Sequence, residues 1–434
     1  MDRFFIRNFG CRATQADGAA LGSMLSKRGY QEAGDWADAE LVILNSCTVT
    51  AAADEDVRQT VRRVNRENPE ARILVTGCYA QRAPEELAGM PGVRWVVGNS
   101  HKVGIPGILE ETSAALDFHG EIRVGEIAEH REFLSAPVED ASDRTRPNLK
   151  IQDGCNNRCS FCIIPAVRGP SRSAAADDVV RQVAALGERY REVVLSGINL
   201  GRWGRDTGRS QGMRLAGLIR RLLEETPVER LRLSSVEPMD FTDELLELMA
   251  SSSRIARHVH APLQSGCDSV LKRMKRRYRT RHYADRLRKA RALMPDAAIG
   301  ADVMVGFPGE TDGEFEESRR FIAEMPYTYL HVFTYSERPG TPAADYPGMT
   351  PIRIRKDRNR VLRDLAAQKN LEFRGRFPGK RLSVVTLEQG RALSGNYLPV
   401  ELVRAWGANR IVDVEIGSVT EQGLRERELL PVLC

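Results

Sequence analysis

No apolar run in the 434 residues approaches the roughly 18 that a membrane-spanning helix needs. The first residues, Met1-Asp2-Arg3-Phe4-Phe5-Ile6-Arg7, lack the basic segment and long apolar core of a secretory signal. A reducing cytoplasm is therefore the expected compartment, with no membrane partner. Low-complexity tracts and short-period repeats are also missing, which argues against disordered and solenoid classes. The net charge of +5 is too small to imply nucleic acid by itself. What is present, 42% hydrophobic and 28% charged residues, is a globular composition. The length exceeds one ordinary core, so about two to four domains are expected. Eight cysteines remain to be explained. In a large chain from a reducing compartment, ordered thiols indicate metal binding or catalysis rather than disulfides.

Hydropathy patterning gives an α/β chain. Residues 4–9, 41–44, 73–76 and 95–97 read as strands, with helices at 15–29 and 54–68 between them. Repeated strand–helix units with short joints imply a parallel sheet, a Rossmann/flavodoxin-like first domain over 1–118. Residues 119–146 are charged and aperiodic and read as a linker with at most a short strand or hairpin. Six further strand–helix units follow, with strands at 149–151, 193–195, 231–233, 258–260, 302–305 and 330–333. They predict a partial (βα)6 barrel of the TIM kind over 147–374. A basic helix at 351–375 leads to β-branched runs punctuated by glycine, a small closed β-barrel over 375–434.

The sharpest signal is Cys155-Asn156-Asn157-Arg158-Cys159-Ser160-Phe161-Cys162, three thiols at C-x3-C-x2-C in one loop after a strand. Soft thiolates suit iron–sulfur clusters or zinc. A structural zinc knot pairs two C-x2-C units or adds histidines, and no such partner lies nearby. A [4Fe–4S] cluster usually takes four cysteines, so three leave one iron open. An open iron can chelate the amino and carboxylate groups of S-adenosylmethionine, whose reductive cleavage yields a 5′-deoxyadenosyl radical. Candidate cofactor-binding residues are Phe161 within the loop and the polar or small residues at the C-terminal mouth of the barrel: Ser196, Gly197, Asn199, Ser235, Glu237, Gln264 and Gly306.

Cys11, Cys47 and Cys78 are far apart in sequence, yet each follows a predicted strand of the first domain. Strand ends of one sense share an edge of a parallel sheet, where ligands bind. The three thiols can therefore meet, although three separate buried cysteines are the common alternative. A second three-cysteine [4Fe–4S] cluster would likewise leave an iron open, for the sulfur to be transferred. Cys267 and Cys434 belong to neither set and read as structural or incidental.

Both triads, in this order, resemble those of the radical S-adenosylmethionine methylthiotransferases. The resemblance spans nearly the whole chain. It rests on Gly10-Cys11, Asn45-Ser46-Cys47-Thr48-Val49-Thr50, Thr76-Gly77-Cys78-Tyr79-Ala80-Gln81, Val97-Gly98-Asn99, Gln152-Asp153-Gly154-Cys155, Arg168-Gly169-Pro170-Ser171-Arg172-Ser173 and Val305-Gly306-Phe307-Pro308-Gly309-Glu310-Thr311. Two departures are Thr14, where the family usually has asparagine, and Ala174, where it often has a basic residue. The resemblance implies an auxiliary cluster on Cys11, Cys47 and Cys78, a radical cluster on Cys155, Cys159 and Cys162, and a TRAM-like terminal barrel that contacts substrate. One S-adenosylmethionine methylates the sulfur and a second yields the radical. Cys78-Tyr79-Ala80-Gln81, with Gln15, is most similar to the branch acting at C2 of tRNA N6-threonylcarbamoyladenosine beside the anticodon. The alternatives are the isopentenyladenosine branch and the branch acting on an aspartate of a ribosomal protein. An electron donor and a sulfur donor are implied without being named.

Two basic runs favour RNA. Lys272, Arg273, Lys275, Arg276 and Arg277 crowd one stretch; Arg353, Arg355 and Lys356 begin another just before the small barrel. Such runs neutralise phosphates and release counterions, although a solvated helix face has the same composition. A non-catalytic iron–sulfur RNA-binding protein is the competing class.

Overall fold

The computed structural model describes residues 2–111, 120–134, 145–206 and 212–428. Its first sheet has six strands, all parallel: β1 (Arg3–Asn8), β2 (Gln31–Glu32), β3 (Leu41–Ser46), β4 (Arg72–Gly77), β5 (Val93–Gly98) and β6 (Glu121–Arg123). Their order is β2-β1-β3-β4-β5-β6. β3 is buried at every position, as expected for a central parallel strand covered on both faces. One face packs on α1 (Arg12–Ser26) through Leu21 and Leu25; the other packs on α2 (Ala51–Glu67) through Val57, Val61 and Val64. The Thr50 hydroxyl caps α2 by accepting from the Ala53 amide at 3.2 Å. Short helices α3 (Cys78–Arg82), α4 (Pro84–Ala88) and α5 (Ile105–Glu111) complete the layer. The stretch read as a linker supplies β6. That strand is three residues long and half exposed, which explains its faint periodicity.

Every one of the six predicted barrel strands forms: β7 (Asn148–Asp153), β9 (Glu192–Gly197), β10 (Arg230–Leu233), β11 (His258–His260), β12 (Ala298–Val305) and β13 (Tyr329–Thr334). The two-residue β8 (Arg172–Ser173) runs antiparallel along β7. The strands form two sheets, β10-β9-β7-β8 and β11-β12-β13, linked by an isolated parallel bridge between Leu231 and Ile255. No pairing joins β13 back to β7 among the described residues, so the barrel is open, as expected. Outside lie α6 (Ile164–Arg168), α7 (Ala176–Arg189), α8 (Leu215–Glu225), α9 (Asp243–Ser251), α10 (Asp268–Arg273), α11 (Thr280–Leu293) and α12 (Asp312–Glu324). A reciprocal Thr311–Glu314 capping box starts α12.

The basic helix α13 (Ile352–Arg374) packs on β13 and delivers the chain to a closed barrel of β14 (Arg381–Thr386), β15 (Arg391–Ser394), β16 (Pro399–Glu401), β17 (Ile411–Val419) and β18 (Leu424–Glu426). This barrel docks where the strands of the open barrel begin. Arg232 donates to the Ser394 carbonyl at 3.0 Å, Arg230 to the Ser383 hydroxyl at 2.7 Å, and the Tyr397 ring stacks on His258 at 4.3 Å. Cys434 lies outside the described residues.

Candidate active site

In the first sheet Asn8 pairs with Asn45 and Asn45 with Thr76, so β1, β3 and β4 end level. Cys11 then caps α1, Cys47 follows β3, and Cys78 opens α3 at the same edge. Parallel register brings the three thiols together. Burial, with the nearby Cys78 and Cys11 adding to it, pushes the Cys47 thiol up to about 12. Left alone, Cys47 would stay protonated; a bound cation makes a thiolate of it. The donor set and its crowding therefore fit an iron–sulfur cluster.

Glycine makes the crowding possible. Gly10 has φ +87°, and a Cβ there would lie 2.6 Å from the Cys47 sulfur. Gly10→Ala is expected to lose the iron of this cage while leaving the barrel triad loaded, which iron analysis of reconstituted protein would check.

The barrel triad occupies the loop after β7. Gly154 (φ +66°) turns the chain so tightly that a Cβ would meet the Pro170 carbonyl. The Cys155 amide then donates to the Gly169 carbonyl at 3.0 Å. Burial raises the Cys155 thiol, opposed by the Asn157 amide at 3.4 Å and the Asn199 side-chain amide at 3.6 Å. Cys162 is pushed up to about 12 by burial, with Cys159 and Cys155 adding to it. Arg276 Nη1 lies 3.3 Å from the Cys159 sulfur, and its other Nη is bound by Glu237. Asn199 Oδ1 is buried without a hydrogen-bond partner among the described residues, an acceptor able to take a donor. Next to the loop is a polar cavity of about 220 Å³ lined by Asn156, Asn157, Asn199, Arg202, Arg205 and Arg277.

The other expected cofactor residues divide. Asn199 and Glu237 touch the triad or its arginine. Phe161 is half-buried against Cys267, Met274, Phe307 and Tyr335. Ser235 is half-buried after β10. Gln264 takes a positive φ of 70° and bridges to Val303, and Gly306 (φ +72°) donates its amide to Glu310 at 2.6 Å. Ser196 is turned inward to the Leu149 carbonyl, and Gly197 lies against Gln152 between β7 and β9. Cys267 is buried, with its sulfur 3.1 Å from Glu317.

Gln152 enters the sequence reading only as part of the resemblance, with no role assigned to it. Fully buried, its amide donates to the Asp153 and Gly154 carbonyls and to Ser171, while its oxygen accepts from the Asn199 amide at 2.6 Å. It ties the triad loop to the next strand. Also missed was the joint between domains. Cys78 packs against Ile163 and Val167, which follow Cys162, and Asn99 donates to the Val167 carbonyl at 2.7 Å while lying 3.6 Å from the Cys78 sulfur. Beneath them Asp17 of α1 binds Lys150 and Arg168 of the barrel. Arg338 reaches from beyond β13 to Asp54 at 2.7 Å and to the Thr48 carbonyl, clamping the Cys47 loop.

A model of the radical SAM superfamily matches residues 149–322, and one described as uncharacterized protein family UPF0004 matches 3–98. A threonylcarbamoyladenosine tRNA methylthiotransferase MtaB from Aquifex aeolicus is 37% identical over 90% of this chain and 94% of its own length. Its namesake from Bacillus subtilis is 38% identical over 87% and 83%. The chain belongs to the radical S-adenosylmethionine methylthiotransferases. A tRNA-2-methylthio-N(6)-dimethylallyladenosine synthase from Saccharopolyspora erythraea is 34% identical over 89% of this chain and 79% of its own. Among solved structures, the radical S-adenosylmethionine methyltransferase TsrM from Kitasatospora setae aligns with TM-score 0.56 at 16% identity, over 79% of this chain and 75% of that one, a likeness of fold alone.

As a radical SAM enzyme, this methylthiotransferase uses one [4Fe–4S] cluster with S-adenosylmethionine. No helix among the described residues is long and apolar enough to cross a membrane. Its basic runs need correcting in part. Lys272, Lys275, Arg277, Arg353 and Lys356 are exposed. Arg276 is buried on Glu237 and Cys159, Arg273 grips the Glu314 carboxylate at 2.8 and 2.7 Å, and Arg355 donates to the Thr350 and Tyr335 carbonyls. Those three already hold protein acceptors, so the exposed cations are the freer ones.

Proposed function

We propose that this enzyme places a methylthio group on C2 of tRNA N6-threonylcarbamoyladenosine beside the anticodon, in the cytoplasm, using a second [4Fe–4S] cluster on Cys11, Cys47 and Cys78. The observation that carries the reading is the packing of Cys78 on the residues that follow Cys162, which sets the two triads side by side across a domain joint. One cage alone would serve a radical reaction; two adjacent cages, each short of one thiolate, suit a reaction that also delivers sulfur. When bound, the clusters and S-adenosylmethionine supply the radical that removes the hydrogen from carbon and the methylated sulfur that replaces it.

The protein's part is placement. Arg276 and Asn199 aim charge and a donor at the Cys159 and Cys155 sulfurs. Gln152 and the Gly154 turn fix the loop. Arg338 and Asp17 lock the first domain onto the barrel, so the donor cage keeps its distance from the radical cage. Exposed cations on α10, α13 and the Lys275–Arg277 turn offer phosphate contacts flanking a base drawn out of its stack. An external electron donor and a sulfur source are required.

The threonylcarbamoyl reading is supported by the similarity to enzymes named for that nucleoside and by Cys78-Tyr79-Ala80-Gln81. Isopentenyladenosine is the second reading, because relatives named for it match at 34%. Mass spectrometry of tRNA nucleosides from a strain lacking the gene is expected to show loss of the methylthio form of threonylcarbamoyladenosine and its return on complementation. Loss of the isopentenyl counterpart would reverse the substrate assignment, and an unchanged nucleoside profile would reject tRNA.

A further inference from the structure

On β11, β12 and β13 side chains alternate strictly. Val259, Ile299, Ala301 and Val303 pack outward on the helices. His258, His260, Asp302, Tyr329, His331 and Phe333 therefore line the inner wall of the open barrel. His331 is 52% exposed and Phe333 48%. Wall and first domain come close: Arg12, beside Cys11, contributes to holding His258 well below its usual range, after burial, Arg232 and His260.

On this wall Asp302 lies between two imidazoles. Its Oδ2 is 3.2 Å from His260 Nε2 and its Oδ1 is 3.1 Å from His331 Nδ1. All the donor atoms fall within 4.8 Å of one another. The His260 side chain is only 7% exposed, and among the described residues its Nε2 has no close polar neighbour but the Asp302 carboxylate. Its other nitrogen is engaged, 2.8 Å from the Tyr329 hydroxyl, which in turn lies 2.7 Å from His258 Nε2. An imidazole oriented through one nitrogen by an outer hydrogen bond, with the other turned to a second donor group, is the usual state of a metal ligand. Two ligands about 2.1 Å from a tetrahedral ion lie about 3.4 Å apart, so a bound ion would open the observed 3.2 and 3.1 Å separations only slightly. Two imidazoles and one carboxylate select zinc, iron(II) or a neighbouring divalent ion over magnesium or calcium.

We propose that His260, Asp302 and His331 bind one divalent transition-metal ion, distinct from both thiolate cages, with its open coordination positions facing the barrel interior. Oxygen donors of the substrate complete the sphere; resting on the function proposed above, these are the carboxylate and adjacent oxygens of the threonylcarbamoyl group.

The test uses full-length protein with its iron–sulfur centres loaded, stripped with a chelator and dialysed to equilibrium against zinc. Wild type is expected to retain one zinc per chain more than Asp302→Asn or His331→Gln at equal iron content. Affinity in the variants should fall at least about 10-fold, the loss that follows removal of even an outer partner. Zinc uptake equal in wild type and variants, or none in any of them, overturns the proposal. Because no tRNA is present, that result leaves the substrate assignment standing, and an error in the substrate assignment cannot produce it.

Discussion

Cys47→Ser is expected to abolish methylthio product while leaving S-adenosylmethionine cleavage intact. Cys47 is buried at the convergence of three strand ends and shares its charge environment with Cys78 and Cys11. A serine hydroxyl is a hard, poorly acidic replacement for a soft thiolate. The first cage should therefore empty, and iron should fall from about eight per chain to about four, one [4Fe–4S] centre instead of two. The barrel triad sits in its own loop, held by Gly154, Gln152 and Arg276, so 5′-deoxyadenosine should still form with reductant. Cys159→Ser is the counterpart: it should lose both 5′-deoxyadenosine and product while keeping the iron of the first cage. Iron analysis and product chromatography on the two variants read all six outcomes. Wild-type iron in Cys47→Ser would end the two-cluster account.

Arg168→Gln should be the most damaging single change to stability. Arg168 is 2% exposed and grips Asp153 at 3.0 and 3.1 Å and Asp17 at 3.0 Å, across the joint between the first domain and the barrel. Removing one member of a buried ion network strands its partners, at a cost of about 3–5 kcal/mol. Calorimetry should show a lower melting temperature and separate transitions for the two domains. Acid sensitivity should change too. Burial alone would raise the Asp17 carboxyl, but Lys102, Lys150 and Arg168 hold it well below the usual range; at Asp153, Arg168, Lys150 and Arg172 do the same. Groups depressed in the fold contribute stability above their ordinary value, about 4, and lose it as pH falls further. Without Arg168 that contribution shrinks, so acid unfolding should begin at higher pH. A variant melting like wild type would refute the joint's importance.

Much of this was legible in the sequence because it is local. The runs 41–44 and 193–195 are apolar on both faces and could only be buried parallel strands. Cys155, Cys159 and Cys162 sit in one loop. Cys11, Cys47 and Cys78 were placed together by a single inference, that parallel strands end on one edge. What escaped depends on direction and distance. Composition cannot say that Arg276 turns inward to Glu237 while Arg277, its neighbour, faces solvent, because the turn after Lys275, at φ +56°, decides it. Asp17 and Arg168 are 151 residues apart, and nothing in either neighbourhood announces the other. The inner wall of His260, Asp302 and His331 needed three strands in register before its members could be seen as a group.

The Arg338 clamp on Asp54 spans 284 residues. During synthesis the Cys47 loop therefore emerges long before the side chain that fixes it. A nascent chain that ends before residue 338 would carry the Cys47 loop without that clamp. On the two-cluster proposal, the cage of the first domain therefore reaches its final, clamped form only after three-quarters of the chain has been made.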